Sequence, residues 1–368
     1  MHKIDLSYTL SPHDAVAAGP LIRNPLLDTL HAVQQHGSIS AAARSLQLSY
    51  RHVWGELKRW EQQLGNELLV WEKGQSARLS EFGDKLLWAE RQAQARLAPQ
   101  IAALRADLER AFAVAFDPAA HVLTLYASHD DALTGLREHA ATQALHLDVR
   151  FTGSVDAISA LNEGRCSMAG FHTRLQPDRD SRTARTYRPL LKPGQHKIIG
   201  FARRSQGLIV ARGNPLQLAT LADLARPGVR CVNRALGTGT RVLLDELLGE
   251  AGLDAGALNG YDRTEPSHAA VAQAVASGEA DAGLGIASAA QARGLGFVPL
   301  LEEQYHLVCL KSALQQDATR SLLGVLQQSA WQTKLAAIAG YHPQRCGEVL
   351  PLSRELPWWH FKRPPAKA

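Results

Sequence analysis

Cysteine is scarce in this chain: Cys166, Cys231, Cys309 and Cys346 lie far apart and form no CxxC pair. That spacing argues against a disulfide framework and the paired-thiolate pattern of a zinc site. Long apolar runs are missing too. No stretch reaches the roughly 18 apolar residues that a membrane-spanning helix needs. The start, MHKIDLSYTLSPHDAVAAG, lacks the charged segment and apolar core of a signal peptide. A cytoplasmic protein without a membrane partner is expected. Catalytic signatures are equally wanting: there is no GxSxG, no HExxH and no metal-ligand spacing. The GTGTR turn at 237–241 lacks the Lys-Ser/Thr pair of a P-loop. Asp130, Asp281 and the histidines could do acid–base work, but Asp at such turns commonly caps a helix. No catalytic residue, no metal ligand and no covalently bound cofactor is expected.

What is present fits a soluble chain of two or three domains: 368 residues, 45% apolar and 20% charged. The net charge of +5 and the pI near 9.1 suit an anionic partner only weakly. Position says more than the sum. Residues 1–117 hold 13 basic and 13 acidic groups, yet residues 37–60 hold four basic (Arg44, Arg51, Lys58, Arg59) against Glu56. The basic character is a face.

That face lies in GSISAAARSLQLSYRHVWGELKRWEQQLG, residues 37–65. Ser38 or Ser40 can cap a thin helix through Ala41, Ala42 and Ala43. Ser49 offers a second cap, after which Val53, Leu57, Trp60 and Leu64 form one apolar stripe. Tyr50, Arg51, His52, Lys58 and Arg59 occupy the opposite face. Two helices with so short a break cross steeply, as in a helix-turn-helix whose second helix fits the major groove. An ordinary helical hairpin with a solvated basic face is the alternative. The following ELLVWEKGQSARLSEFG reads as a small hairpin around Lys73-Gly74-Gln75-Ser76, a wing whose tip could touch phosphate. With Leu26, Leu27, Leu30 and Val33 as a preceding helix, the unit is a winged helix.

The order GSISAAARSLQLS, a basic helix, then LGNELLVWEKGQSARLSEFGDKLL resembles the N-terminal domain of LysR-type and ModE-type bacterial transcription regulators, over about residues 22–116. Ser49-Tyr50-Arg51 with Trp54 is closer to the ModE form. The resemblance implies that Ser49, Tyr50, Arg51 and His52 meet bases and backbone of double-stranded DNA. Lys58, Arg59 and Arg78 would meet phosphate; Trp54 is read mainly as core.

From Glu81 to about Phe116 the residues Ala93, Leu97, Ile101, Leu104, Leu108, Ala111 and Ala115 recur in near-heptad spacing. Such a seam buries itself against a second copy, giving a homodimer or homotetramer. A helix packed on its own domain is the alternative. Pro99 is expected to kink the helix or start a new one.

Beyond Asp117-Pro118 the texture alternates. VLTLYAS (122–128), LDVRFTGS (147–154), CSMAGFH (166–172), GLIVARGNP (207–215) and VRCVN (229–233) read as strands, several followed by a polar turn and a helix. That repetition implies a parallel sheet with ligands at the strands' carboxyl ends. SHAAVAQAVASGEADAGLGI (267–286) parallels GSVDAISALNEGRCSMAGF (153–171), so two lobes flank a cleft, with crossings at 198–210 and about 283–310. QGLIVARGNP, VNRALGTGTR and VASGEADAGLGI resemble type II periplasmic binding-protein domains of the cytoplasmic kind attached to molybdenum-cofactor proteins and regulators. No all-β segment matching the ModE molybdate module follows the helix.

Ten basic residues against two acidic ones in 171–212 favour an anion, although the arginines from Arg174 to Arg188 read mostly as a solvated loop. Ser128, His129, Ser154, His172, Thr238, Gly239, Thr240, Arg241, Ser267 and His268 are the candidate ligand donors; singly, each Ser or Thr could be a plain cap. The resemblance suggests molybdate, tungstate or a phosphorylated molybdopterin-type effector, with a small organic acid competing. The expected fold is an N-terminal all-α winged helix with a long linker helix, then a C-terminal α/β two-lobed periplasmic-binding-protein-like domain. Its boundaries are 22–80, 81–117, 118–350 and a tail at 351–368 that ends in disorder after Phe361. A lobed-domain enzyme and a transport-associated binding protein are the rivals.

Overall fold

A computed structural model describes residues 24–70, 77–116, 120–176 and 178–359. The chain divides into two compact units, one ending at Glu90 and the other starting at Arg91. The first opens with α1 (Pro25–His36), whose Asn24 cap accepts from the Leu26 amide at 3.0 Å. Then come α2 (Ile39–Ser45) and α3 (Tyr50–Leu64). Ser38 caps α2 through the Ala41 amide at 3.1 Å, and Ser49 caps α3 through the His52 amide at 3.2 Å.

Helix α2 stops because Gln47 turns left-handed, with φ of 58°. The Leu48 amide then reaches the Ala43 carbonyl at 2.9 Å, and the Gln47 amide reaches Arg44 at 3.1 Å. These paired bonds satisfy carbonyls that a helix end leaves open, in a Schellman closure that usually employs glycine. Strands β1 (Leu69–Val70) and β2 (Arg78–Leu79) pair antiparallel, Leu69 opposite Leu79. The wing's base is therefore as expected, while its tip at 73–76 lies outside the described residues. Leu30, Val33, Ala42, Val53, Leu57 and Leu68 close the core, with Trp54, Trp60 and Leu64 packed at its margin.

Helix α4 (Glu81–Phe116) is assigned as one helix through Pro99, so no new helix begins there. In the second unit, strands and helices then alternate: β3 (His121–Ala127), α5 (Asp131–Ala141), β4 (Leu145–Phe151), α6 (Ser154–Asn162), β5 (Met168–Arg174) and α7 (Arg182–Tyr187). The long β6 (His196–Val210) leads to β7 (Cys231–Arg234), α8 (Gly239–Glu250), β8 (Thr264–Glu265), α9 (His268–Ala276), β9 (Ala282–Ile286) and α10 (Ala287–Gln291). An equally long β10 (Gly296–Leu310) returns, followed by α11 (Asp317–Gln327), α12 (Ser329–Ala336), β11 (Tyr341–Pro343), β12 (Val349–Pro351) and α13 (Leu352–Glu355).

The sheet order is β4-β3-β5-β10-β6-β9-β7-β8. Pairing is parallel within each lobe (β3 with β4 and β5; β7 with β8 and β9) but antiparallel where β6 and β10 cross between lobes. The sheet is thus mixed, a correction to the parallel expectation, and the two crossings run where the alternation placed them. Strands β11 and β12 add to β6, and Leu352, Leu356 and Trp358 bury themselves in the first lobe's core. The domain therefore extends past 350, correcting the expected tail; residues 360–368 lie outside the described residues. The four cysteines are unpaired and buried. Among the described residues no helix is long and apolar enough to cross a membrane.

Candidate nucleic-acid interface and ligand cleft

On α3 the capping role of Ser49 leaves Tyr50, Arg51 and His52 exposed in the first turn. Tyr50 stacks on Trp54, ring centroids 6.3 Å apart. Further along, the expected phosphate contacts are engaged within the fold. Lys58 donates to Glu61 at 2.7 Å and lies 5.0 Å from the Trp54 ring, while Arg59 pairs with Glu56 at 2.5 Å. Glu61 also accepts from the Leu68 amide at 2.9 Å, tying α3 to the wing. Arg78 stands opposite Val70 on the exposed side of the wing.

Of the α4 seam, Ala93, Leu97, Leu104, Ala111 and Ala115 are exposed, Leu104 at 60%. A different face docks on the helix's own unit. Gln92 donates to Ser277 at 3.1 Å and to Glu279, Arg96 pairs with Glu265 at 3.1 Å, and the Ser267 hydroxyl reaches the Ala95 carbonyl at 3.4 Å.

The cleft lies where the lobes meet. The Val155 amide of α6 donates to the Gly237 carbonyl at 3.3 Å. A Cβ on Gly153 would stand 2.8 Å from that oxygen, so only glycine permits this approach. Around it are gathered Ser154, His172 and Gly239: a Cβ on Gly239 would meet His172 Nδ1 at 3.2 Å and Ser154 Oγ at 3.4 Å. His172 also lies against Tyr305, ring centroids 4.0 Å apart. His129, Asp130, Asp131 and His268 line a cavity of about 130 Å³ with Ala269, Ile286 and Ala289.

Two buried arginines organise this cleft, and the sequence reading passed over both. Arg204 on β6 donates to Glu303 at 2.5 Å, to Asp130, and to the Tyr341 hydroxyl at 3.2 Å. Burial alone would lower its pKa, but Glu303, Tyr341 and Asp130 hold it well above the ordinary value. Arg234, at the end of β7, donates from Nη1 to the Glu265 carbonyl at 3.0 Å. Its Nε has no partner, and no carboxylate is bonded to it among the described residues. Burial, then Arg204, push Arg234 down to about 9 against the pull of Glu265. A charged residue closing an apolar strand just before GTGT was the available signal for Arg234. Arg204, inside the apolar run of β6, could have been flagged likewise.

The nominated residues divide accordingly. Ser128 Oγ, Ser154 Oγ, both ring nitrogens of His172 and Nδ1 of His268 are buried without a hydrogen-bond partner among the described residues. Burial and nearby cations hold His172 and His268 well below the usual histidine range, and burial takes His129 down to about 4 although Asp130 opposes it. Thr240 accepts from Gln206 at 3.1 Å. Thr238 and Ser267 cap α8 and α9. Arg241 pairs with Asp245 at 3.1 Å and lies 4.0 Å over the Tyr261 ring. Arg174, read as part of a solvated loop, is half-buried and pairs with Glu246 of α8, while Arg182 pairs with Asp245 and stays exposed. Asp130 caps α5 through the Ala132 amide at 2.8 Å, and Asp281 pairs with Arg230 at 2.8 Å. Among the described residues no cluster of three or more His, Cys, Asp or Glu could hold a metal ion.

Residues 136–327, more than half of the chain, match the family described as PBP superfamily domain. The chain belongs to the PBP superfamily. Residues 25–84 match the bacterial regulatory helix-turn-helix protein, lysR family, so a LysR-family helix-turn-helix precedes the PBP superfamily domain. The chain is 32% identical over 205 residues to "Uncharacterized protein YvgK" of Bacillus subtilis (strain 168), covering 55% of this chain and 64% of the relative's length. A Clostridium pasteurianum relative, "Uncharacterized protein in ferredoxin 2Fe-2S gene 5'region", is 31% identical over 30% of this chain and 97% of its own. Among solved structures, ArgP from Mycobacterium tuberculosis is 20% identical, covering 88% of this chain and 100% of that one, with a TM-score of 0.39. An H2O2-bound mutant of Corynebacterium glutamicum OxyR is 18% identical, covering 86% and 96%, with a TM-score of 0.45.

Proposed function

We propose that this chain is a ligand-responsive, LysR-type transcription regulator, a non-enzymatic cytoplasmic homodimer that binds duplex DNA through α3 and is gated by a small anion in the interlobe cleft. Arg234 carries the effector half of this reading. A buried guanidinium without a carboxylate partner costs several kcal/mol, and an anionic ligand supplies the missing charge. The starts of α6, α8 and α9 add amide donors and favourable dipoles. Molybdate or tungstate suits such a donor set, as does the phosphate end of a molybdopterin-type species. A small organic acid is the second reading, because a carboxylate also matches the arginine fork. The exposed α4 seam supports pairing with a second copy.

The test is a thermal-shift series on the full chain with molybdate, tungstate, sulfate, phosphate and organic acids, followed by titration of duplex DNA. Ligand at a hundred times its Kd stabilises by about 2.7 kcal/mol. Thr240→Ala is expected to weaken the effector response while DNA binding persists. A monomer indifferent to duplex at low ionic strength overturns the regulator reading; a chain stabilised by none of these anions overturns the effector reading.

A further inference from the structure

This inference rests on the reading that the cleft takes an anion, and it concerns what must accompany that anion. An oxyanion only accepts hydrogen bonds. His172, however, presents two buried ring nitrogens without partners among the described residues, and His268 presents a third. A neutral imidazole has one N–H and one bare lone pair. A neutral His172 therefore leaves one N–H and one lone pair without an answering group, and His268 leaves its Nδ1 so. The charges give the same answer. Arg204 stands against Asp130 and Glu303, Arg234 adds one positive charge, and Glu265 is matched by Arg96. With neutral histidines these groups sum to zero; Asp131 and Arg293 beside them carry opposite charges and Arg137 adds one more positive charge, so a dianion still leaves the surroundings net negative.

We propose that the cleft binds an oxyanion together with one proton, and that His172 and His268 are where that proton resides. They either receive it from solvent or accept the hydrogen of an anion that carries its own. His172 on β5 faces Arg204 of β6, Arg234 of β7, His268 of α9 and His306 of β10, with Tyr305 against its ring and Ser154 and Gly239 beside it. His268 faces Arg234, Arg204 and His129, and shares its cavity with Asp130, Asp131 and Arg293. The two arginines repel a proton from these rings, and a bound dianion reverses that field. The site is thereby tuned to anions that arrive protonated or that can draw a proton in.

Calorimetry on the full chain tests this, using sulfate and molybdate from about pH 6 to pH 8.5 in buffers of different ionisation enthalpy. Both anions are proton-free over that range. Affinity is expected to fall about tenfold per pH unit, with about one proton taken up per anion. Hydrogen phosphate at about pH 8.5 carries its own proton and is expected to bind without uptake. H172Q and H268Q together are expected to abolish the pH slope. Sulfate or molybdate bound with pH-independent affinity and no uptake would overturn the proton coupling while leaving the anion reading intact. A slope that survives both substitutions overturns the assignment to these rings. If none of these anions binds, the underlying anion reading falls and this inference falls with it.

Discussion

Arg51 begins the exposed face of α3 in water, whereas Arg234 ends β7 with 2% of its surface exposed. The first keeps its hydration; the second has given it up, and its Nε has no hydrogen-bond partner among the described residues. Around Arg51 the other basic groups of α3 are paired to glutamates on the same helix. Around Arg234 the carboxylates are already held by Arg204 and Arg96. Surface pairs of the first kind contribute little, roughly 0–1 kcal/mol. Buried charges of the second kind dominate the stability of their surroundings. The contrast separates a solvated arginine from a desolvated one.

Arg204→Met tests the buried side most severely. It strands Asp130 and Glu303, and urea unfolding is expected to show a loss of about 3–5 kcal/mol; a near-neutral result would mean that the Arg204 pairs contribute little to stability. Acid is next. His129 and His306 have folded values pushed down to about 4 and about 3, by burial above all, against about 6.5 when unfolded. Their stabilisation is complete above about pH 6.5 and drains as pH falls toward the folded values, because the unfolded chain takes protons first. Melting curves should record about 1.4 kcal/mol lost per pH unit for each. On the exposed side, Arg51→Ala is expected to weaken operator binding by about 1–3 kcal/mol if it reads a base. Lys58→Ala should lower the salt slope by less than about one unit, since Glu61 already neutralises much of that charge. Equal slopes for the two variants would erase the distinction between them. The smallest effect concerns Gln47: Gln47→Gly relieves a left-handed side chain and should raise stability by about 1 kcal/mol.

Features governed by neighbours in sequence were legible. Ser38 and Ser49 cap the helices they precede, and Val53 and Leu57 face the core, because caps and stripes depend on residues within two turns. The strand ends before α6, α8 and α9 were readable for the same reason. Partnerships over long range were not. Arg204 meets Asp130, Glu303 and Tyr341 only through the antiparallel register of β6 with β10 and β11, which no local pattern encodes. Arg174 and Arg182 look like loop arginines until α8 brings Asp245 and Glu246 beside them. The closing strands β11 and β12 are too short to announce themselves as part of the sheet.

Arg234 grips the main-chain oxygen of Glu265, and the carboxylate of that same residue grips Arg96 on α4. On the proposed reading, a ligand that competes for Arg234 would loosen or re-aim the residue that anchors the long helix, two hydrogen bonds away. Communication between distant sites typically amounts to about 1–3 kcal/mol, which is within what one such bond can deliver. A message leaving the pocket would need no wholesale rearrangement, only a change of tension on Glu265.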